Sequence, residues 1–506
     1  MRNYRFFTLT VLLLLFVTIS QAADLHLEGY LEGNFAARYE SESFNWNMWD
    51  PEAKVELRFW SNPIQNTDFY MKLYNDKWDA DGTHLLNSVA VFSEGHISYQ
   101  QEKNGLGFKS ILFSRENNHY WLDGSMLNLI NTGSVDNDKN AQGVRFDFWE
   151  RWNGSASYVY SDFSGGGGDD VHLLRLRQSF AEEKFQTGLF FLRKNYSDGG
   201  KDRYNQVIAT DNKIKLSKDY KLNFELASSV VPSDTAITAL NENLHNDVEN
   251  AFENGAIIEG LGDYFKSNFA AQMEFRGLKI GSDSKGYWFI TPGFWCYGQG
   301  YRNYMGQDTK DEIGFWLDSY YMLPQRAVTL TLNYSRYQKM EDVRYAAGSS
   351  RDPVSNLYSE LYVEFVNGFD GKIYYNRRQE VWHAEEYNHN DLFAEVSVEN
   401  KLAKLLTQFK IKDLGEENEK QISGMELSIN LSERWRIFTR GMTVNEKSGA
   451  RMSFFAELLY RFGGNTELYL QYGPDWYGSY GLVNDDNFVA GGNMEKRFKI
   501  VLKSWF

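Results

Sequence analysis

The chain has 506 residues, a formal charge of −15, 16% aromatic residues, 42 glycines, 7 prolines and one cysteine. One cysteine excludes an internal disulfide framework. The acidic balance argues against nucleic acid as a partner, and scarce proline with abundant glycine and aromatics favours strands and tight turns over helices.

Residues 1–22 read as a secretory signal peptide. Arg2 and Arg5 precede an apolar run from Phe6 to Ile19, followed by the small-x-small site Ser20-Gln21-Ala22. With a mean hydropathy of −0.53, nothing after it is apolar for the ~20 residues that a spanning helix needs. Residues 23–506 are expected to form one unit with no separate plug domain, because a strand pattern starts almost at once.

That first pattern puts Leu25, Leu27, Gly29, Leu31, Gly33, Phe35 and Ala37 on one face. His26, Glu28, Glu32, Asn34, Arg38 and Glu40 take the other. The same alternation returns in "EAKVELRFW", "DYKLNFELA", "FAAQMEFRG", "RAVTLTLNYS", "NLYSELYVEF", "DLFAEVSVE", "GMELSINLS", "FFAELLYRF" and "TELYLQY". Such strands run roughly nine to thirteen residues, near the length that crosses a bilayer at a barrel's tilt. Connectors alternate as well. Asn62 to Asn66, "WNG", "AEEK", "SKD", "LPQ", "NGFDG", "NKL", "SE" and "FGGN" are short. Between them fall longer stretches, among them Ser41 to Pro51, Glu116 to Gln142, Val231 to Phe265, Gln338 to Ser355 and Gly473 to Glu495. The expected fold is an all-β, single transmembrane antiparallel up-and-down barrel of about 24 strands (range 18–24), with both termini on the short-turn side.

The chain ends "RFKIVLKSWF": Phe498, Ile500, Leu502 and Phe506 share a face on which Ser504 is the lapse, and Lys499 and Lys503 oppose it. Together with the leader, the dyad repeat and the loop alternation, this ending resembles that of bacterial outer-membrane β-barrels, a porin-like resemblance that covers the whole mature chain. It implies an outer-membrane location in a Gram-negative-type bacterium, and recognition of the last strand by the barrel-insertion machinery. "LFSRENNHYWLDGSMLNLINTGSVDNDKNAQGVRFDF" bears a loose similarity to substrate-specific, alginate-type porins: a strand with Arg115, a long loop, then a strand opening on Gly-Val-Arg with Arg145.

Charges on the polar faces of successive C-terminal strands alternate in sign. Glu360 and Glu364 are followed by Lys372 and Arg378, then Glu395 and Glu399, then Lys404, Lys410 and Lys412. Glu426 precedes Arg434, Arg436 and Arg440; Glu457 and Glu467 follow, and closure would set Lys499 and Lys503 beside Glu28 and Glu32. Strands about 4.8 Å apart let such charges pair laterally, so a salt-bridged lumen wall is favoured over an anion-selective arginine ladder. Tyr358, Tyr362, Tyr374, Phe393, Phe438, Tyr469 and Trp505 fall on the same wet faces, where they either stiffen the wall or stack on sugar rings.

A barrel of about 24 strands is roughly 45–50 Å across, too wide for side chains to fill. The loops at Ala236 to Gly262 and Glu116 to Gln142 are expected to narrow it. "HAEEYNH" offers His383, Glu385, Glu386 and His389 as a weak metal candidate in an exposed loop, its spacing matching no helical zinc signature. No nucleophile motif appears, so neither enzymatic activity nor a cofactor is expected. The sequence therefore reads as a channel for diffusion of small polar solutes, oligosaccharides among them, embedded in outer-membrane lipid. The alternative is a non-transport barrel for adhesion, assembly or surface binding through acidic loops: Asp234, Glu242, Asp247, Glu249, Glu253 and Glu259 in one, Glu416, Glu417 and Glu419 in another, Asp485 and Asp486 in a third.

Overall fold

The computed structural model describes residues 25–40, 43–62, 64–75, 91–116, 126–127, 129–130, 142–150, 153–162, 169–198, 201–230, 268–298, 300–305, 312–323, 327–339, 353–382, 385–474, 482–483 and 497–506. The proposed leader, His383 and the stretch Ala236 to Gly262 lie outside these residues.

Strands follow one another around the wall. The first quarter comprises β1 (Leu25–Glu40), β2 (Ser43–Ser61), β3 (Thr67–Asn75), β4 (Val91–Lys103), β5 (Leu106–Ser114) and β6 (Gln142–Trp149). Next come β7 (Gly154–Asp162), β8 (Asp170–Phe180), β9 (Phe185–Asp198), β10 (Lys201–Lys215), β11 (Lys221–Val230), β12 (Phe269–Arg276) and β13 (Leu278–Ser282). The wall continues through β14 (Gly286–Tyr297), β15 (Glu312–Leu323), β16 (Val328–Lys339), β17 (Val354–Val366), β18 (Phe369–Trp382) and β19 (Glu385–Glu399). It is completed by β20 (Ala403–Lys412), β21 (Lys420–Asn430), β22 (Trp435–Glu446), β23 (Gly449–Gly463), β24 (Thr466–Tyr472) and β25 (Arg497–Trp505).

Segments β12 and β13 both pair with β14 and are two halves of one wall strand. The break is at Gly277, whose φ of +90° and whose 1.8 Å gap between a built Cβ and the Asp219 carbonyl oxygen admit only glycine. The result is a 24-strand antiparallel barrel closed by β1 against β25, from Tyr30↔Trp505 to Arg38↔Arg497. Both described chain ends lie at the rim of short turns. Asn104-Gly105, with both φ angles positive, makes one of them.

Alternation sets the two faces. Leu112, Ile208, Ile373, Val396, Met425 and Met452 stand exposed on the outside, where only apolar surroundings would favour them. This is the architecture of an outer-membrane barrel: a closed sheet leaves no unpaired edge in a medium without water.

The last strand shows how closure is secured. The Gly29 amide donates to the Phe506 carbonyl at 2.8 Å, and the Phe506 amide returns a bond to the Gly29 carbonyl at 3.1 Å. The Phe506 ring lies over Gly29 so closely that a Cβ there would come within 2.0 Å of its Cζ. Ser504, the polar lapse on the outer face, sits opposite Thr466 with the two hydroxyls 3.1 Å apart.

Two expectations are corrected. Ser41 to Pro51 is not a loop: β2 begins at Ser43 and pairs back with β1 through Glu40↔Ser43 and Ala36↔Asn47, so the hairpin projects as a ladder. "HAEEYNH" is not a loop either, since β19 starts at Glu385 and pairs with β18 through Trp382↔Glu385 and Arg378↔His389. In the first place the period of two runs on, Phe44, Trp46 and Met48 alternating with Asn45 and Asn47; in the second, polar residues continue the backbone pairing, which does not need an apolar face.

Gly29→Val is expected to displace the Phe506 ring and weaken the closing seam by about 1–3 kcal/mol, the scale of two backbone hydrogen bonds. The check is the urea midpoint of the folded, heat-modifiable form, which should fall while Gly33→Val, with nothing within 4 Å of its Cβ position, leaves it near wild type.

Candidate functional site

The candidate site is the lumen. Its wall carries lateral and diagonal ion pairs: Lys372 with Glu395 at 3.5 Å, Lys404 with Glu399 at 3.2 Å, Lys410 with Asp391 at 2.9 Å, and Arg440 with Glu426 at 2.6 Å. Arg436 meets Glu457 at 2.9 Å and Arg461 meets Glu467 at 2.9 Å. Across the seam, Lys503 lies 3.6 Å from Glu32, whereas Lys499 stands opposite Ala36 and Gln471, away from Glu28. Each pair holds both partners against the wall, so little net charge is presented by these residues along this arc.

The remaining expected lumen residues divide. Tyr358, Glu360, Tyr362 and Glu364 alternate inward on β17, and Tyr374 and Arg378 on β18, with Arg378 paired to Glu380 on its own strand. The Tyr358 hydroxyl donates to Glu360 at 2.5 Å. Arg145 points inward and is held by Asp147 at 2.8 Å. Arg115 follows β5 with a positive φ and donates to the Phe92 carbonyl at 2.8 Å. Arg434 does not join the wall: it belongs to the exposed short turn before β22, where its carbonyl accepts from the Arg461 amide.

Aromatic rings form a lateral row across β17 to β19. Tyr358 and Tyr374 have centroids 5.5 Å apart, and Tyr374 stacks on Phe393 at 4.5 Å and 13°. Of the metal candidates, His389 is held by Asp413, Nδ1 to Oδ1 at 3.0 Å, while Glu386 falls on the opposite face of the strand. Among the described residues no group of three His, Cys, Asp or Glu side chains is arranged to hold a metal. Asp413 opens a compact turn in which the Gly415 amide donates to Glu419, holding that carboxyl below its ordinary range.

What the sequence pattern did not reveal is an apolar sector inside the barrel. Ile111, Phe113, Val159, Leu173, Leu192 and Val207 face inward yet are buried, because Leu127, Leu129, Tyr301 and Met305 lie over them. Each leucine contributes about 1.5–3 kcal/mol by leaving water. Polar contacts set their position. The Leu127 amide donates to Glu225 at 2.9 Å, the Asn303 side chain donates to the Leu129 carbonyl at 3.0 Å, and the Arg302 amide donates to Ser229 at 2.8 Å. Part of the stretch Glu116 to Gln142 therefore lies within the wall, as expected, and residues 300–305 join it, which was not.

A second cover sits on the other side. Leu482 and Val483 pack on Phe393, Ile422, Met442, Val444 and Phe455. Gly424 makes room for them: a Cβ there would stand 2.6 Å from Leu482 Cγ. Phe393 and Phe438, read above as wet-face aromatics, thus serve as seat and support for this cover. A glycine at an inward strand position was the available signal, since it marks close approach.

No family model matches the chain, and no curated protein does. Among solved structures, the siderophore receptor PirA from Pseudomonas aeruginosa is similar at TM-score 0.45 and 9% identity, over 95% of this chain and 80% of that one. The FrpB iron transporter from Neisseria meningitidis (F5-1 variant) reaches TM-score 0.41 and 8% identity, over 96% and 83%. The P pilus usher (PapC) translocation pore reaches 0.38 and 8%, over 95% and 99%. Likeness at this level carries no argument about function, so the tests fall on the chain itself. Replacing Leu127 by Ala should cost about 2–5 kcal/mol of the local seat. Leu127→Asp with Leu129→Asp should release the cover, read as faster hydrogen exchange at the Leu127 and Arg302 amides in folded protein.

Proposed function

We propose that this protein is an outer-membrane channel for the passive diffusion of small polar solutes. The observation that carries the reading is the division of the inner wall. Two apolar sectors are covered by inward residues, and the arc of β15 to β18 with β24, β25 and β1 to β4 keeps tyrosines, carboxylates and amides facing inward. An apolar-out, polar-in closed sheet suits a water-filled passage through lipid, and partial covers narrow a cylinder that would otherwise be too wide to retain solutes.

Within that class we favour oligosaccharides. Tyr358 and Tyr374 set aromatic surface beside Glu360, Asn376 and the Asp391–Lys410 pair, a mix of apolar and polar groups suited to sugar rings and their hydroxyls. The acidic loops favour neutral or cationic solutes over anions by focusing potential at the mouth. The C-terminal strand ending in Phe506 would serve the insertion machinery, and the leader would direct export.

The test is ion conductance of the refolded mature protein in planar bilayers, with maltooligosaccharides or other glycans added to one side. Steady conductance with sugar-dependent blocking is expected, and Tyr358→Ala with Tyr374→Ala should weaken the block by about ten-fold, the equivalent of ~1.4 kcal/mol. Conductance with no block by any glycan would remove the sugar assignment. An inserted but silent barrel would overturn the channel reading and favour a surface-binding role for the acidic loops.

A further inference from the structure

The outer wall carries a furrow that neither the channel nor its covers use. It is a cavity of about 1070 Å³ near the short-turn rim, running across β4 to β10. One register row crosses it: Phe108↔Phe148↔Ala156↔Leu176↔Leu189↔Thr210. These side chains share the outward face, because Phe113, Val159, Leu173 and Phe190, each an odd number of residues along the same strand, are buried on the inward one. Ala156 is the low point of the row. Phe148 on one side and Leu176 on the other stand 49% and 40% exposed above it, so the apolar floor is unfilled by the chain itself.

The furrow is graded in polarity along the barrel axis. Toward the middle of the wall it is apolar, while its lower lip is made by Gln101, Lys103, Asn104 and Gln178, next to the short turns. Lys103 is exposed at this lip and on the outward side of β4, opposite Leu106. An ammonium on a long stem at the polar boundary of a membrane wall is placed to reach a headgroup.

We propose that this furrow holds one phospholipid of the inner leaflet, its acyl chain lying on Ala156 between Phe148 and Leu176 and its phosphate at Lys103. The inference rests on the membrane reading of the barrel. Charge complementarity at Lys103 selects an anionic or zwitterionic phospholipid over an uncharged lipid, and the apolar row supplies contact along the chain. A second copy of the barrel is the rival occupant, but a flat neighbouring wall would leave the low point at Ala156 empty and the Lys103 charge without a partner of its own.

The experiment is native mass spectrometry of the folded full chain released from detergent micelles, titrated with phosphatidylglycerol or phosphatidylethanolamine. One lipid should be retained at concentrations where further binding is still statistical, and free glycerol phosphate should not displace it. Ala156→Trp, which fills the furrow, should remove that first lipid. Lys103→Gln, a surface change that leaves folding intact, should abolish any preference for phosphatidylglycerol. Unchanged first-lipid retention in both variants would overturn the proposal, as would a lipid-free dimer that Ala156→Trp converts to monomer. A folded, heat-modifiable micellar barrel with no retained lipid overturns the lipid site alone. A chain that folds and stays soluble without detergent overturns the membrane reading and the site with it.

Discussion

The structure depends on one constraint, that backbone N–H and C=O groups facing hydrocarbon have no water to bond. A sheet in that setting must leave no edge, so the first and last strands have to find each other across the whole length of the chain. The paired hydrogen bonds between Gly29 and Phe506 extend the β1–β25 ladder to the last residue. The bare side of Gly29 lets the terminal ring lie against the seam. Lys503 meets Glu32 on the inner side of the same seam, so closure is fixed by backbone pairing, ring packing and charge together.

Closure then imposes the second problem, a lumen wider than side chains can fill. The chain answers it unevenly. Where the inner wall is charged, neighbouring strands neutralise one another in pairs such as Arg440 with Glu426 and Lys410 with Asp391. Where it is apolar, residues between strands fold back and bury it, with Glu225, Ser229 and Asn205 receiving or supplying the hydrogen bonds that fix their height. The wall and its covers are therefore one packed unit on the loop side of β5 to β14.

Much of this was legible in the sequence because a period of two leaves little freedom: a one-residue slip would turn every Leu of β1 or β25 to the wrong side. The order of strands, the rim at which the short turns gather, and the Lys503–Glu32 contact all follow from that alternation. Ser504 breaks the apolar alternation because Thr466 stands opposite it and the two hydroxyls pair. The covers were less legible. Leu127 and Leu129 sit in a polar stretch with no period, and their partners are nearly 100 residues away at Glu225 and 174 away at Asn303. Arg434 stands one residue before β22, so it belongs to a turn although it continues the alternation of Arg436 and Arg440. Inward apolar residues such as Leu173 and Val207 carried the missing information, since an alternating strand with apolar residues on both faces must be covered on both.

The most direct measurement of the central claim is the environment of successive side chains along one strand. In a Cys296→Ser background, single cysteines would be placed at Met425, Glu426, Leu427 and Ser428 of β21 in protein reconstituted into liposomes. The account predicts that positions 426 and 428 react with a charged, membrane-impermeant maleimide, whereas 425 and 427 resist it and, carrying a bimane label, are quenched by a nitroxide dissolved in the bilayer. Equal reactivity at all four positions, or quenching at 426 and 428, would contradict a wall that divides lipid from a polar lumen.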